Sequence, residues 1–412
     1  MPGIPGRRRL GGRSCRLPAV AGFCATLVPH GGLWHNMFMR LFLFAALLLA
    51  FAAPATATEF YQVGFRTLGQ CAADGGLRLD VNVWYPSVRA PHTLNYAPWT
   101  ISAARNGKAV EGRFPLILLS HDTAGTRFSY HDTAAWLASC GFVVAAPAHF
   151  ADCMDNMESL LTWAQLQGRT RELSATIDLL LSDSDTESSI DRERIGALGF
   201  GSGATAVLLL GGALPDCDNR QAYCAQAPVQ DMYCNVWGRE RMDGLCRRLP
   251  LTKSLADTRI RAIAAVAPGF GMLFSRASFR WLHPPLLLMA AAGDTLNTTP
   301  LHSRHIYDMM EKKPRWISLE QADAGALMAS CPPPLQDALP EICRSVSTPV
   351  RAAIHKSMHT ALEDFFLHYL GSEKNLPQIP PPPDLTPPPP PPAPPAAAPA
   401  QKKEKGKRKN RP

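Results

Sequence analysis

The chain has 412 residues and 46% apolar side chains, enough for one large α/β domain with extra segments or for two domains. Its net charge of +8 misleads: residues 1–36 carry five arginines and no acid, Arg40 adds one charge, and the stretch from Gln401 holds seven Lys/Arg against one Glu, so setting aside +5, +1 and +6 leaves −4 for the rest. A mildly acidic body excludes a broad basic face for nucleic acid.

In chain order, the first informative segment is MFMRLFLFAALLLAFAAPATA, Met37 to Ala57. A cation precedes an apolar run that is too short for a comfortable membrane span, and Ala55-Thr56-Ala57 is a small-x-small cleavage site, the pattern of a secretory signal peptide. Translation is then expected to start at Met37 or Met39, with residues 1–36 a leader outside the protein. An extended targeting segment is the alternative. Export to the periplasm or beyond makes disulfides the default for the nine cysteines that follow. Cys217, Cys224, Cys234 and Cys246 crowd into a polar, loop-like excursion over 211–256, and Cys331 and Cys343 flank another. These six are the disulfide candidates, with connectivity open. The spacings lack paired C-x-x-C with a nearby histidine, which argues against zinc. With nine cysteines, at least one is unpaired or partnered elsewhere.

Within 58–371 the chain alternates strand-like and helix-like stretches. Leu79–Pro86 alternates apolar and polar residues, as an edge or antiparallel strand would. Near-continuous apolar runs at Pro115–Ser120, Phe142–Pro147, Ile195–Phe200, Ile263–Pro268 and Leu286–Ala292 fit strands buried on both faces of a parallel sheet. Trp316–Glu320 is a weaker last strand. Helical patterns cover Ser129–Ser139, Arg171–Leu181, Ser202–Leu210, Leu301–Lys312 and Ser357–Leu370. The class is α/β, a doubly wound and mostly parallel sheet, with ligands expected beyond the carboxyl ends of the strands. From residue 372 the composition changes to a proline-rich tail ending in KKEKGKRKN, read as a disordered polyproline II spacer with a basic tip. Such a tip suits an anionic envelope surface; the plainer reading is a solubilising tail.

The segment FPLILLSHDTAGTRFSYHDTAAWLASCGFVVAAPAH, Phe114 to His149, resembles the opening of the α/β-hydrolase domain in exported dienelactone-hydrolase-like proteins related to platelet-activating-factor acetylhydrolases. The resemblance continues through IDRERIGALGFGSGATAVLLLGGA, IRAIAAVAPGFGMLF, PLLLMAAAGDTLNTTP and AAIHKSMHTALEDFFLHYLG, covering most of 60–370. It implies an α/β-hydrolase fold and a serine hydrolase of esterase or lactonase type, without a cofactor.

The implied triad is degenerate. In G-x-S-x-G the serine projects from a sharp strand-to-helix turn. Here the flanking glycines are Gly199 and Gly203, and the position between them is Gly201. Ser202 stands one residue late, where the family supplies an oxyanion N–H, and is read as a first-turn serine bonding an orphan helix N–H. Asp294 stands at the acid position, or serves as an Asx-turn residue. The base position falls on Ala324 in LEQADAGALMASC, and no histidine lies between His305 and His355. The oxyanion His-Gly reads His121-Asp122, and the Asp122 carboxylate is expected to repel negative charge there; His121 is read as structural. His302 and His305 are read as a solvated face. His355 and His359 share a helix face, but HKSMH lacks the zincin Glu, and no metal is expected.

The resulting expectation is an exported protein of this fold without a working triad, binding a small ester-like or lipid-like ligand or acting as a scaffold. Two rivals stand beside it. One is a carboxylic-ester hydrolase using Ser202 with Asp294 and a relocated His359 or His121. The other is an envelope-interaction protein acting through its tail.

Overall fold

The computed structural model describes residues 60–70, 77–249, 251, 253–371 and 380–381. The expected leader, the signal peptide, Cys71 and nearly all of the tail lie outside the described residues.

The chain opens with β1 (Gln62–Gln70), β2 (Leu79–Ser87), β3 (His92–Tyr96) and β4 (Trp99–Arg105). Then come β5 (Phe114–Ser120), α1 (His131–Ser139), β6 (Val143–Pro147), α2 (Trp163–Ser182), α3 (Ser184–Glu187), β7 (Ile190–Phe200) and α4 (Ser202–Leu210). The excursion supplies α5 (Arg220–Gln226) and α6 (Val236–Cys246). The last third holds β8 (Ile260–Val266), β9 (Leu286–Ala291), α7 (Ser303–Met309), β10 (Arg315–Leu319), α8 (Ala324–Leu327), α9 (Pro333–Ala338), α10 (Pro340–Cys343) and α11 (Thr348–Leu370).

All ten strands form one sheet in the order β10-β9-β8-β7-β5-β6-β2-β1-β4-β3. From β6 to β10 every neighbouring pair is parallel, and β2 pairs antiparallel with both β6 and β1. Each expected apolar run is a strand of this group, and their side chains are buried on both faces, which is why they read as continuous rather than alternating. One face packs beneath α1 and α11, with Leu137, Phe365 and Phe366 against Ile117, Val144 and Leu198. The other packs beneath α2 and α4, with Leu173, Ile177 and Val207 against Leu118, Ala197 and Ile263. Helix α4 is buried along all nine residues, so it carries no polar face and its apolar run is uninterrupted.

Several elements differ from the expectation. Of the two alternatives for β2, the antiparallel one holds: it pairs antiparallel with β6 and β1 and is interior, almost wholly buried, not an edge. β1, β3 and β4 were invisible as apolar runs because each is partly exposed. Helix α11 begins at Thr348, nine residues earlier than read, because Pro349 sits in its first turn, where a missing N–H costs nothing.

The Cys-rich excursion is stapled by Cys217–Cys246 and Cys224–Cys234, and Cys331–Cys343 closes the second loop. All six candidates are therefore paired; Cys140 and Cys153 are free thiols. The excursion is not loop-like throughout: α5 and α6 are short helices tied by nested disulfides, with Tyr223, Met242 and Leu245 buried in the core. It docks through two tyrosines. Tyr233 OH donates to Asn297 Oδ1 at 3.1 Å, and Tyr223 OH lies 2.9 Å from both Asp231 Oδ2 and His302 Nε2.

Candidate functional site

The site region is where β7 turns into α4. A side chain on Gly199 would meet the Gly203 carbonyl oxygen at 2.2 Å, and one on Gly203 would meet the Ser120 carbonyl oxygen at 2.3 Å. Strand and helix thus approach as closely as backbones allow, and both positions require glycine. Between them Gly201 has φ +53° and ψ −117°, a conformation that an L-residue enters only under strain. This is the sharp elbow on which a hydrolase carries its nucleophile. The conformation falls on Gly201, not on Ser202.

Asp122 takes up the room. A Cβ on Gly201 would lie 1.9–2.2 Å from the Asp122 carboxyl group. Asp122 Oδ1 accepts the N–H of Ser202 at 2.8 Å and the N–H of Thr123 at 2.7 Å. One amide follows the elbow and the other belongs to the loop after β5, the two sources of an oxyanion hole in this fold. The hole is therefore filled by the chain's own carboxylate. The Asp122 charge is received by the Ser202 amide at the N-terminus of α4 and by the Thr123 amide in the loop after β5. Burial raises the Asp122 carboxyl to about 6 against the opposing pull of the Ser202 and Thr123 amides.

Ser202 does not act as a cap. It is the first helical residue, 3% exposed, and its hydroxyl accepts from Thr123 Oγ1 at 2.9 Å; Asp122 caps the helix from outside. Thr123 Oγ1 is in turn held by Gln165 Nε2 at 2.9 Å. The rival bases are engaged elsewhere. His121 Nδ1 lies 2.7 Å from the Asp122 carbonyl and its Nε2 receives the His149 N–H; His359 Nε2 lies 2.9 Å from Thr133 Oγ1.

The acid loop follows β9. Asp294 is 5% exposed and Oδ1 accepts the N–H groups of Leu296 and Asn297, the Asx turn expected of it. Oδ2 is buried without a hydrogen-bond partner among the described residues. Burial raises its pKa, opposed by the Asn297 and Leu296 amides. Gly293 N–H bonds the Ala322 carbonyl at 2.7 Å and so brings the acid loop against the loop where the base would stand. There Ala324 is the first residue of α8, capped by Asp323. Ala324 offers only a methyl group there.

Two buried networks escaped the sequence reading. Beneath the elbow, Ser120 Oγ meets His149 Nε2 at 2.8 Å, and His149 Nδ1 meets Glu172 Oε2 at 2.6 Å. Arg169, 1% exposed, is paired with Asp152 and donates to the His121 carbonyl. The order serine–histidine–carboxylate resembles a triad, but Ser120 is wholly buried at the end of β5 and its hydroxyl is within 3.4 Å of the Arg169 guanidinium. Burial and the Arg169 charge hold His149 neutral, and burial raises Glu172 to about 7. The signal for this network was the pairing of Ser-His after one strand with Ala-Pro-x-His after the next. The second network is centred on His302. It is not a solvated residue but fully buried, with Nδ1 accepting the Gly271 N–H at 3.1 Å and Nε2 on Tyr223. Half-buried His305 likewise bonds the Phe274 carbonyl at 2.8 Å. Two wide clefts open away from the elbow, one beside Trp163, Trp237 and Arg248, the other beside His283, Lys313 and Tyr369.

The sheet order, the elbow and the helices on both faces define an α/β-hydrolase fold. Residues 102–231 match the family model described as "Dienelactone hydrolase family", which supports a dienelactone-hydrolase-like assignment for that stretch. Among solved structures, it is similar to a ferulic acid esterase from Streptomyces cinnamoneus, with 17% sequence identity and a TM-score of 0.53 over 79% of this chain and 96% of that one. At that identity the likeness bears on the fold. No curated protein matches the sequence.

Proposed function

We propose that this is an exported α/β-hydrolase-fold protein that has lost serine-hydrolase chemistry and serves in binding or as a scaffold. The observation that carries the reading is the Asp122 carboxylate seated on the Ser202 and Thr123 amides, over a glycine at the nucleophile position. An ester carbonyl entering there meets a carboxylate already bound to both donors and no projecting oxygen. The missing imidazole at Ala324 and the unpartnered Asp294 Oδ2 support the same reading independently. Losing the serine or the histidine of such a triad removes about 10⁶ in turnover.

Export is supported by three disulfides and by the Met37–Ala57 pattern. A small ester-like or lipid-like ligand near the old site, and an anionic envelope surface for the basic tail, are the partners this reading includes.

A fluorophosphonate probe on the purified full chain tests the proposal. The expected result is no specific labelling under conditions that label a working esterase. Labelling that maps to Ser202 and disappears in Ser202→Ala would establish the displaced-serine enzyme instead.

A further inference from the structure

Away from the elbow, α1 and α11 lie side by side and place their residues in a matched ladder. Asp132 Oδ2 meets His355 Nδ1 at 2.8 Å, and one turn further along, Trp136 stacks on His359 with ring centroids 5.6 Å apart. His355 and His359 are four apart, so both imidazoles project from the same face of α11. One ligand atom from each of Asp132, His355 and His359 falls within 4.8 Å of the other two.

We propose that these three residues form a divalent-cation site of the zinc class, with a coordination position left for solvent. Three observations carry it. The donor set is two imidazoles and one carboxylate, which suits zinc, cobalt or nickel far better than magnesium or calcium. The spacing is close to what a tetrahedral ion demands, since bonds of about 2.0–2.1 Å put ligand atoms about 3.3 Å apart. Closing from the present separations takes side-chain shifts of roughly an ångström.

The rings are also held as metal-binding histidines are held. His355 Nε2 is bonded to the Ala326 carbonyl at 2.9 Å and His359 Nε2 to Thr133 Oγ1 at 2.9 Å. Such outer contacts fix the ring orientation before the ion arrives, and the ion takes the place of the proton that His355 Nδ1 gives to Asp132. Asp132 keeps about a third of its side-chain exposure, which gives an ion a way in. Because Ala326 belongs to α8, an ion here would tie the remnant base loop to α11. The sequence argument against metal rested on the absent zincin Glu; that residue is a general base in the zincin pattern, and its absence does not bear on binding.

The test is calorimetric titration of the chelator-stripped full chain with zinc, with magnesium as the control. The expected result is saturable zinc binding at low-micromolar or tighter Kd, no magnesium binding, and weakening by at least about 100-fold in both His359→Ala and Asp132→Asn. X-ray absorption of the zinc-loaded wild-type chain should show imidazole and oxygen ligation without sulfur, a readout that survives if a variant fails to fold. Absence of zinc binding by the wild type, zinc binding unchanged in both variants, or sulfur ligation through the free thiols would overturn the proposal.

Discussion

Asp122 accepts the backbone N–H of Ser202 at 2.8 Å across 80 residues of chain. That contact joins the loop after β5 to the start of α4, and it places a fixed negative charge where a hydrolase develops a transient one. It is also costly to bury, and the cost has a pH signature.

Burial lifts the Asp122 carboxyl from 3.8 to about 6, so the folded chain binds this proton more tightly than the unfolded chain does. The contribution to stability is present in full below the unfolded value and is lost as pH rises toward and past 6. Between pH 4 and 7 the wild type is expected to lose at most about 3 kcal/mol relative to Asp122→Asn, less to the extent that the partly exposed carboxyl is screened by solvent. Urea unfolding of both proteins across that range measures it; superimposable pH profiles would refute the assignment.

Gly201→Ser alone is expected to destabilise by about 1–3 kcal/mol, since its Cβ meets the Asp122 carboxyl and the backbone holds φ +53°. Adding Asp122→Gly removes the clash, so the double variant should recover a large part of that loss. The two effects are coupled and not additive. Strict additivity in denaturant midpoints would mean that Asp122 does not occupy the nucleophile's space.

Adding Ala324→His to that pair tests whether the scaffold still has its old geometry. The new imidazole is expected to reach Asp294 Oδ2, now without a partner. Hydrolysis of a nitrophenyl ester should rise by at least about 10²-fold over the pair, and a fluorophosphonate should label residue 201. No gain in rate from the histidine would show that α8 no longer presents position 324 to the elbow.

His302 reports on the excursion. Burial lowers its pKa to about 3 from 6.5, so protons favour the unfolded chain. Its contribution is therefore intact above pH 6.5 and is lost progressively as pH falls toward 3, opposite in sign to Asp122. His302→Gln is expected to cost about 1–3 kcal/mol at pH 7 by leaving Tyr223 or the Gly271 N–H unmet, and to flatten the acid limb of the stability curve. An acid limb as steep as in the wild type would place the proton uptake elsewhere.

Much of the fold was legible because burial on both faces leaves its mark on a strand: Leu116–Leu119 and Leu286–Ala291 have nothing polar to show. The elbow was legible through Gly199 and Gly203, which tolerate no Cβ. Asp122 was visible as an anomaly, but its hold on the Ser202 and Thr123 amides was not, because a sequence gives its charge and not the direction of the amides around it. His302 and the Arg169–Asp152 pair were missed for a related reason. Their partners lie far along the chain, and an isolated polar residue looks solvated until its neighbours are placed. The helices of the excursion were hidden by polar composition, since only a few of their residues, such as Tyr223, Met242 and Leu245, face the core.

Gly201 has a consequence for tolerance to change. A serine held at that backbone angle would store about 1–3 kcal/mol of strain, and glycine stores little. Relative to a hydrolase that holds a serine at that angle, the chain is spared this strain. A margin of that size can absorb one or two mildly harmful surface substitutions, which gives the chain latitude to vary its exterior.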